Sequence, residues 1–441
     1  MRPLIERLLD AERSRYQDSH PASSSAHTRA RTRLPYGVGS SFQYFEPYPI
    51  TIDRARGPYA WDVDGNKYLD LNMGFGALLT GHLNPVVLDA VSEQMSKGTL
   101  FVAPSEAAFE VADALQERFS HPLWRFTNSG TEAVMTAVRA ARAYTGRDKL
   151  VKVIGGYHGH SDTTLVSCKP SLDSSDAVSD TRGLLPGVLE NTIAIPYNDA
   201  DALEHVLIEN AGKVAAFLVE PVLENVGIIL PRDGYLSKVR EICTKHGVLL
   251  IFDEVKTGLT SSYFGAQGLY GVRADITCLA KSIGGGFPIG ALGGEEDVMR
   301  VFEKGCVHHG TYNSNPLVLA ATKATLSVCS KEALEETYAR NKEFTGTVRT
   351  MLEKIRVQAP TFVAQVGCKG SVTFSSTQPA RYEDWKNSDM VLAELSWLWS
   401  TNRGVLTPPG LDEQWLVSLA HDEESLSIYL EQLQDLVTVL S

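Results

Sequence analysis

The sequence predicts an α/β protein: a mostly parallel sheet flanked by helices, with a smaller α+β domain beside it. Three observations predict this. From about residue 124, short and nearly continuous apolar runs alternate with helical or loop segments, and strands apolar on both faces belong to a parallel sheet covered on both sides. After residue 331 the pattern changes to a long charged helix, short strand-like runs and a last helix. The chain has 441 residues, 43% of them hydrophobic, which is enough for two or three structural units around an ample core.

The elements follow in order. Residues 1–17 form a helix with Leu4, Ile5, Leu8 and Leu9 on one stripe. The next stretch, DSHPASSSAHTRART, is polar and is expected to be mobile or loosely docked. PITIDRA (49–55) and YAWDVDGNKYLDL (59–71) read as a β ribbon, with Asp64-Gly65 as a hairpin turn. Residues 85–97 and 105–119 have a helical period. WRFTNSG then leads into the helix TEAVMTAVRAARAYTG, and KLVKVIGG, AAFLVEPV, VLLIFDEV and ITCLAKSI supply further strands. The stretch 167–187, rich in Ser and Asp, is a lid or a surface excursion. KEALEETYARNKEFTGTVRTMLEKI (331–355) is a long helix, followed by GSVTFSS, GVLTPP, WLVSLA and a final helix. No internal repeat is evident.

Composition excludes several classes of function. A net charge of −12, spread without long single-sign runs, argues against nucleic acid or an anionic membrane as partner. No apolar run is long enough to span a bilayer, and the N-terminus lacks a secretory signal. The six cysteines are widely spaced with no CxxC pair, so free thiols in a reducing, cytoplasmic compartment are expected.

Four features carry chemistry. Lys281 ends the run ITCLA before SIGGGFPIG; a lysine buried there can form an imine, because burial frees its lone pair, although most lysines are solvated surface groups. Asp253, ending the strand in VLLIFDEV, needs a partner for its buried charge. A pyridinium nitrogen would serve, and so would a structural turn. Thr127-Asn128-Ser129-Gly130-Thr131-Glu132 opens a helix after a strand, which makes either a phosphate site or an ordinary N-cap. Tyr157, in Gly156-Tyr157-His158-Gly159-His160, can lie over a flat ring. His158 and His160, two apart with no third ligand near, argue against a metal and for packed or hydrogen-bonded rings. All four features fall at successive strand ends of one α/β unit, where such sheets gather ligands.

With these motifs the chain resembles the class III aminotransferases of fold type I, which depend on pyridoxal 5′-phosphate. It is most similar to glutamate-1-semialdehyde aminomutase and the β-amino-acid and phenylglycine aminotransferases. FTNSGTEA, GGYHGH, FLVEPVLENVG, LLIFDEVKTG, DITCLAKSIGGGFPIGALGG and HHGTYNSNP carry the likeness. It covers residues 35–330 strongly and the C-terminal part weakly. The resemblance implies that Lys281 is the Schiff-base lysine and Asp253 the partner of the ring nitrogen. Val255 would pack behind the ring, Tyr157 before it, and Asn225 near its hydroxyl. Ser129, Gly130 and Thr131 would hold the phosphate, and Thr311 would reach it from the neighbouring subunit of a homodimer with shared active sites. It also implies a small domain built from both ends of the chain: an N-terminal segment over 1–80, a large cofactor-binding domain over 81–330 and a C-terminal part over 331–441.

Departures bear on the substrate. The aminomutases carry an arginine where Gln43 stands, and no arginine lies between Arg33 and Arg54. A neutral amide is a weaker and less selective clamp for carboxylate. Lys256 stands where relatives have an uncharged residue, so it either replaces the missing cation or faces solvent. Glu413 aligns loosely with a mobile glutamate that gates some relatives' sites, or is a solvated acid. The sequence therefore predicts a ping-pong aminotransferase, moving an amino group from a donor to a carbonyl acceptor through pyridoxamine phosphate. The alternatives are the intramolecular aminomutase and a non-catalytic binding subunit of the same fold.

Overall fold

The computed structural model describes residues 2–170, 177–355, 360–410 and 412–441. The strands, in chain order, are β1 (Ile52–Arg56), β2 (Tyr59–Asp62), β3 (Lys67–Asp70), β4 (Leu123–Thr127), β5 (Lys149–Val153), β6 (Thr192–Ile195) and β7 (Val214–Val219). They continue with β8 (Leu249–Asp253), β9 (Ile276–Ala280), β10 (Gly290–Gly294), β11 (Phe362–Val366), β12 (Lys369–Thr373), β13 (Val405–Leu406) and β14 (Trp415–Leu416).

The central sheet has seven strands in the order β4-β10-β9-β8-β7-β5-β6. The pairs from β9 through β8, β7 and β5 to β6 are parallel. β10 runs antiparallel to both β9 and β4. β4 therefore points the same way as the parallel set, and the carboxyl ends of β4, β5, β7, β8 and β9 share one edge. β7, β8 and β9 are buried at every residue, which is why they read as continuous apolar runs.

Two strands of this sheet were not among those the sequence predicted. β6 is the short TIAI, and β10 is GALGG, a composition that disfavours strands. The glycine at 290 is required by close packing: a Cβ there would lie 2.2 Å from the Ser129 carbonyl oxygen and 2.3 Å from Thr127 Oγ1. The turn after β4 thus rests directly on the backbone of β10.

The polar stretch after the first helix differs from expectation. It forms a helix, Pro21–Ala30, following the Arg2–Ser19 helix. Its first turn is held by Asp64, whose carboxylate accepts from the Ala22 and Ser23 amides at 2.6 and 3.0 Å and from the Ser23 hydroxyl at 2.7 Å. Proline at its start and a carboxylate from another element satisfy the free amides. His20 is buried between the Tyr16 carbonyl and the Tyr68 hydroxyl. Asp64 belongs to the β2–β3 hairpin turn that the sequence predicted.

Both ends of the chain meet in one sheet, β1-β2-β3-β13, in which β13 pairs parallel to β3. The third sheet is β11-β12-β14, covered by the helices Lys331–Leu352 and Glu423–Leu440. Of the expected lid, residues 171–176 lie outside the described residues; beside them, Asp180 accepts from the Cys168 amide at 2.8 Å. No helix among the described residues is long and apolar enough to cross a membrane.

Candidate active site

The loops at the shared strand edge enclose a cavity of about 420 Å³. Ten of the twelve residues singled out in the sequence line it: Ser129, Gly130, Thr131, Tyr157, Asn225, Asp253, Val255, Lys256, Lys281 and Glu413. Gln43 and Thr311 are the two outside.

Asp253 closes β8 and is buried. One carboxylate oxygen accepts from the Val255 amide at 3.0 Å, and the other lies 2.8 Å from His158 Nδ1. Burial lowers the pKa of His158, against the opposing pull of Asp253. A neutral imidazole facing a carboxylate carries its proton on Nδ1, so His158 donates to Asp253. Its Nε2 is buried without a partner among the described residues. The sequence left His158 as a packed or hydrogen-bonded ring; that it orients the strand-end aspartate became visible only when the β5 loop was seen to cross beside β8.

Lys281 follows β9 directly, with a left-handed φ of 47°. A non-glycine residue held there is strained, and such strain clusters at functional sites. The side chain is half-buried and faces the cavity. No hydrogen-bond or ion-pair partner for its amine exists among the described residues. Burial, and then the nearby charge of Lys256, bring its pKa down from 10.5 to about 8. The amine is thus a nucleophile near neutral pH.

Ser129 caps the Gly130–Thr145 helix, its hydroxyl accepting from the Glu132 amide at 3.2 Å. The N-cap reading therefore holds, and the turn also leaves the amides of Gly130 and Thr131 without an acceptor within the helix, as an anion site requires. Gly130 is needed for contact: a Cβ would sit 2.9 Å from both methyls of Val255. Tyr157 is fixed through its amide, which donates to Glu220 at 3.0 Å, and its ring meets the edge of Phe42 at 5.6 Å. Burial, reinforced by the proximity of Asp253, raises the carboxyl of Glu220 to about 7. Glu220, Phe42, Phe75 and Phe287 also line the cavity and were not foreseen, because nothing in their spacing separates them from ordinary core or loop residues.

The substrate candidates depart most from expectation. Lys256 does not face solvent and Glu413 is not a solvated acid. They form a buried ion pair at 2.5 Å, with 5% and 12% of their side chains exposed. Burial opposes the charge on Lys256, yet Glu413 and Glu224 outweigh it and raise its pKa. Gln43 is exposed, and its amide oxygen accepts from its own backbone, the Gly39 and Ser40 amides at 3.1 and 3.2 Å. Its neighbour Phe42 takes the place at the cavity. Thr311 is exposed on the segment after His308, away from the cavity, in a surface hollow with Val102 and Trp124. That segment is tied to the phosphate turn through Asn128 and Asn313, which hydrogen-bond at 3.0 Å.

This donor set fits pyridoxal phosphate. It has an amine without a partner, a buried carboxylate, an aromatic and an aliphatic wall, and free amides at a helix start. No group of histidine, cysteine, aspartate or glutamate suited to a metal exists among the described residues.

Comparison with known proteins agrees with this chemistry. The family described as Aminotransferase class-III matches residues 43–394. The chain is 38% identical over 411 residues to the glutamate-1-semialdehyde 2,1-aminomutase of Methanocella arvoryzae, covering 92% of this chain and 95% of that protein. A variant of the glutamate-1-semialdehyde aminomutase of Pseudomonas aeruginosa PAO1, solved in complex with PMP, superposes with a TM-score of 0.91 at 28% identity, covering 100% of this chain and 99% of that one. An omega-transaminase from Sphaerobacter thermophilus gives a TM-score of 0.88 at 32% identity, covering 95% and 98%.

Proposed function

This chain belongs to the class-III aminotransferase family, and from that premise we propose that it moves an amino group within one substrate, as a 2,1-aminomutase acting on glutamate-1-semialdehyde or a close analogue. The observation that carries this reading is the 38% identity, over nearly the whole of both chains, to a protein of that name. The expectation of a two-substrate, ping-pong enzyme rested on Gln43. The Gln43 amide is folded onto the Gly39 and Ser40 backbone, outside the cavity, so it neither clamps nor excludes a substrate carboxylate. One observation still favours the two-substrate reading: no arginine among the described residues lines the cavity. Supplying glutamate-1-semialdehyde alone decides between them. Formation of 5-aminolevulinate without an added donor supports the aminomutase; strict dependence on a separate donor and acceptor overturns it.

The enzyme uses pyridoxal 5′-phosphate, which when bound withdraws electrons from the substrate carbon and makes its proton removable. In our reading Lys281 holds the cofactor and, once released, carries a proton to and from that carbon. Asp253, oriented by His158, keeps a negative charge toward the ring nitrogen. Tyr157 and Val255 confine the ring from its two faces, and Asn225 stands near its hydroxyl. Ser129 and the amides of Gly130 and Thr131 bind the phosphate. A non-catalytic role is set aside, since Lys281 and Asp253 are both present and share one cavity.

We assign Thr311 to the phosphate site of a second subunit. The support is the exposed apolar surface beside it: Val102, in the same hollow, and the adjacent Tyr312 are 80% and 61% exposed, a combination that marks an interface. All six cysteines are free, which suits the reducing cytoplasm.

A further inference from the structure

A second cavity, of about 740 Å³, lies against the first and shares Phe42, Tyr157, Asn225 and Glu413 with it. Glu413 therefore stands in the wall between the two. Its carboxylate has one partner among the described residues, Lys256, and it sits on irregular chain just before β14.

Lys256 is held differently. Its ammonium also donates to the Glu224 carbonyl at 2.6 Å. The Glu224 carboxylate in turn pairs with Lys369 at 2.7 Å, and Lys369 donates to the Lys256 carbonyl at 2.7 Å. Lys256, Glu224 and Lys369 are all buried and lock one another in place. With Glu413 the four side chains carry two positive and two negative charges. Glu413 is the one member that can leave without breaking the others.

We propose that Lys256 is the carboxylate-binding cation of this enzyme, and that a substrate carboxylate reaches it by exchanging with Glu413, which turns toward the neighbouring cavity. This rests on the reading of the first cavity as an amino-transfer site. Among the described arginines and lysines, only Lys256 and Lys281 line that cavity, and in this reading Lys281 is committed to the chemistry. A buried ammonium left without an anion is costly, so Glu413 departs only when another anion takes over. The exchange keeps the charge count constant, and a neutral ligand gives Glu413 no reason to move. The substrate class that follows is an amino or carbonyl compound with a carboxylate placed away from the reacting carbon. The arginine expected near residue 43 is thereby replaced by Lys256.

The test is equilibrium binding to the holoenzyme, followed by tryptophan fluorescence, with two unreactive five-carbon probes: glutarate and its neutral diamide, glutaramide. Lys256→Met should raise the Kd of glutarate about tenfold or more while moving that of glutaramide by no more than about twofold. Glu413→Gln removes the competing carboxylate and should tighten glutarate binding. An equal change for both probes in Lys256→Met, or none for either, overturns the proposal. If Lys256→Met does not fold, Glu413→Gln decides alone, and unchanged or weaker glutarate binding overturns it. Failure to convert glutamate-1-semialdehyde, with these shifts present, would sink the aminomutase reading and leave Lys256 assigned. Conversion without the shifts would do the reverse.

Discussion

With its pKa held at about 8, the Lys281 amine is uncharged in roughly a tenth of molecules at pH 7, against roughly one in three thousand at its usual 10.5. Modification of Lys281 in the apoenzyme by an amine-reactive reagent, read by peptide mass, should therefore rise with pH through about 8 and level off above it. Lys256→Met removes the second-largest cause of the depression and should move the midpoint upward. A midpoint near 10.5 in the wild type would show that the amine is not buried as described. Asp253→Asn tests the other end of the chemistry. The variant should fold and hold cofactor, yet turn over about a thousandfold more slowly, a loss of ~4 kcal/mol in the barrier; near wild-type turnover in a steady-state assay would refute the role. That Lys281 and Asp253 meet in one cavity was legible in the sequence because both end apolar runs of one α/β unit, whose strand ends share an edge. The Lys256–Glu413 pair was not legible. Its members are 157 positions apart, and each alone resembles a solvated surface charge.

Among the elements, the clearest case is the Pro21–Ala30 helix. Its sequence has no apolar stripe, so periodicity gave no sign of it, and its stability comes from Asp64 on a distant hairpin. Asp64→Ala should cost about 1 kcal/mol or somewhat more and speed hydrogen exchange over residues 22–25; unchanged exchange there would mean that the cap contributes nothing. Burial works to raise the pKa of Asp64, but its bonds to Ser23 and Ala22 outweigh this and lower it. Its contribution is therefore full above the ordinary aspartate value of 3.8 and is lost as pH falls through the lower folded value. The turn at Gly39–Gln43 makes a second case. The sequence pointed to the right segment, but the useful side chain is Phe42, one residue earlier. Arginine cannot accept the two amide protons that Gln43 accepts. Gln43→Arg should thus loosen the hold of Phe42 on Tyr157 and raise KM, whereas Gln43→Glu, which keeps the acceptor, should restore it. A lower KM for carboxylate substrates in Gln43→Arg would reinstate the arginine-like role. The apolar strands β5, β7, β8 and β9 were read directly. β10 escaped because its glycines answer to contacts with the β4 turn, which no local pattern records.

At the scale of the whole molecule, the proposed shared-site dimer makes a prediction. Lys281→Ala and Thr311→Ala subunits, unfolded and refolded together, should give more activity than the mean of the two parents, because a mixed dimer contains one intact pairing of Lys281 and Thr311. Activity equal to that mean, or a fully active monomer in sedimentation, would place Thr311 outside the site. The seven-stranded sheet has a further consequence. β10 stands between β4 and β9, yet the turn after β4 reaches across it: a Cβ at Gly130 would lie 3.5 Å from the Cβ of Ala280, the residue before Lys281. The crossing is possible because β10 is nearly bare of side chains there, with the Ser129 carbonyl resting on Gly290. Bulk at position 290 would therefore lift the Ser129–Thr131 turn away from Lys281 without touching a residue of either.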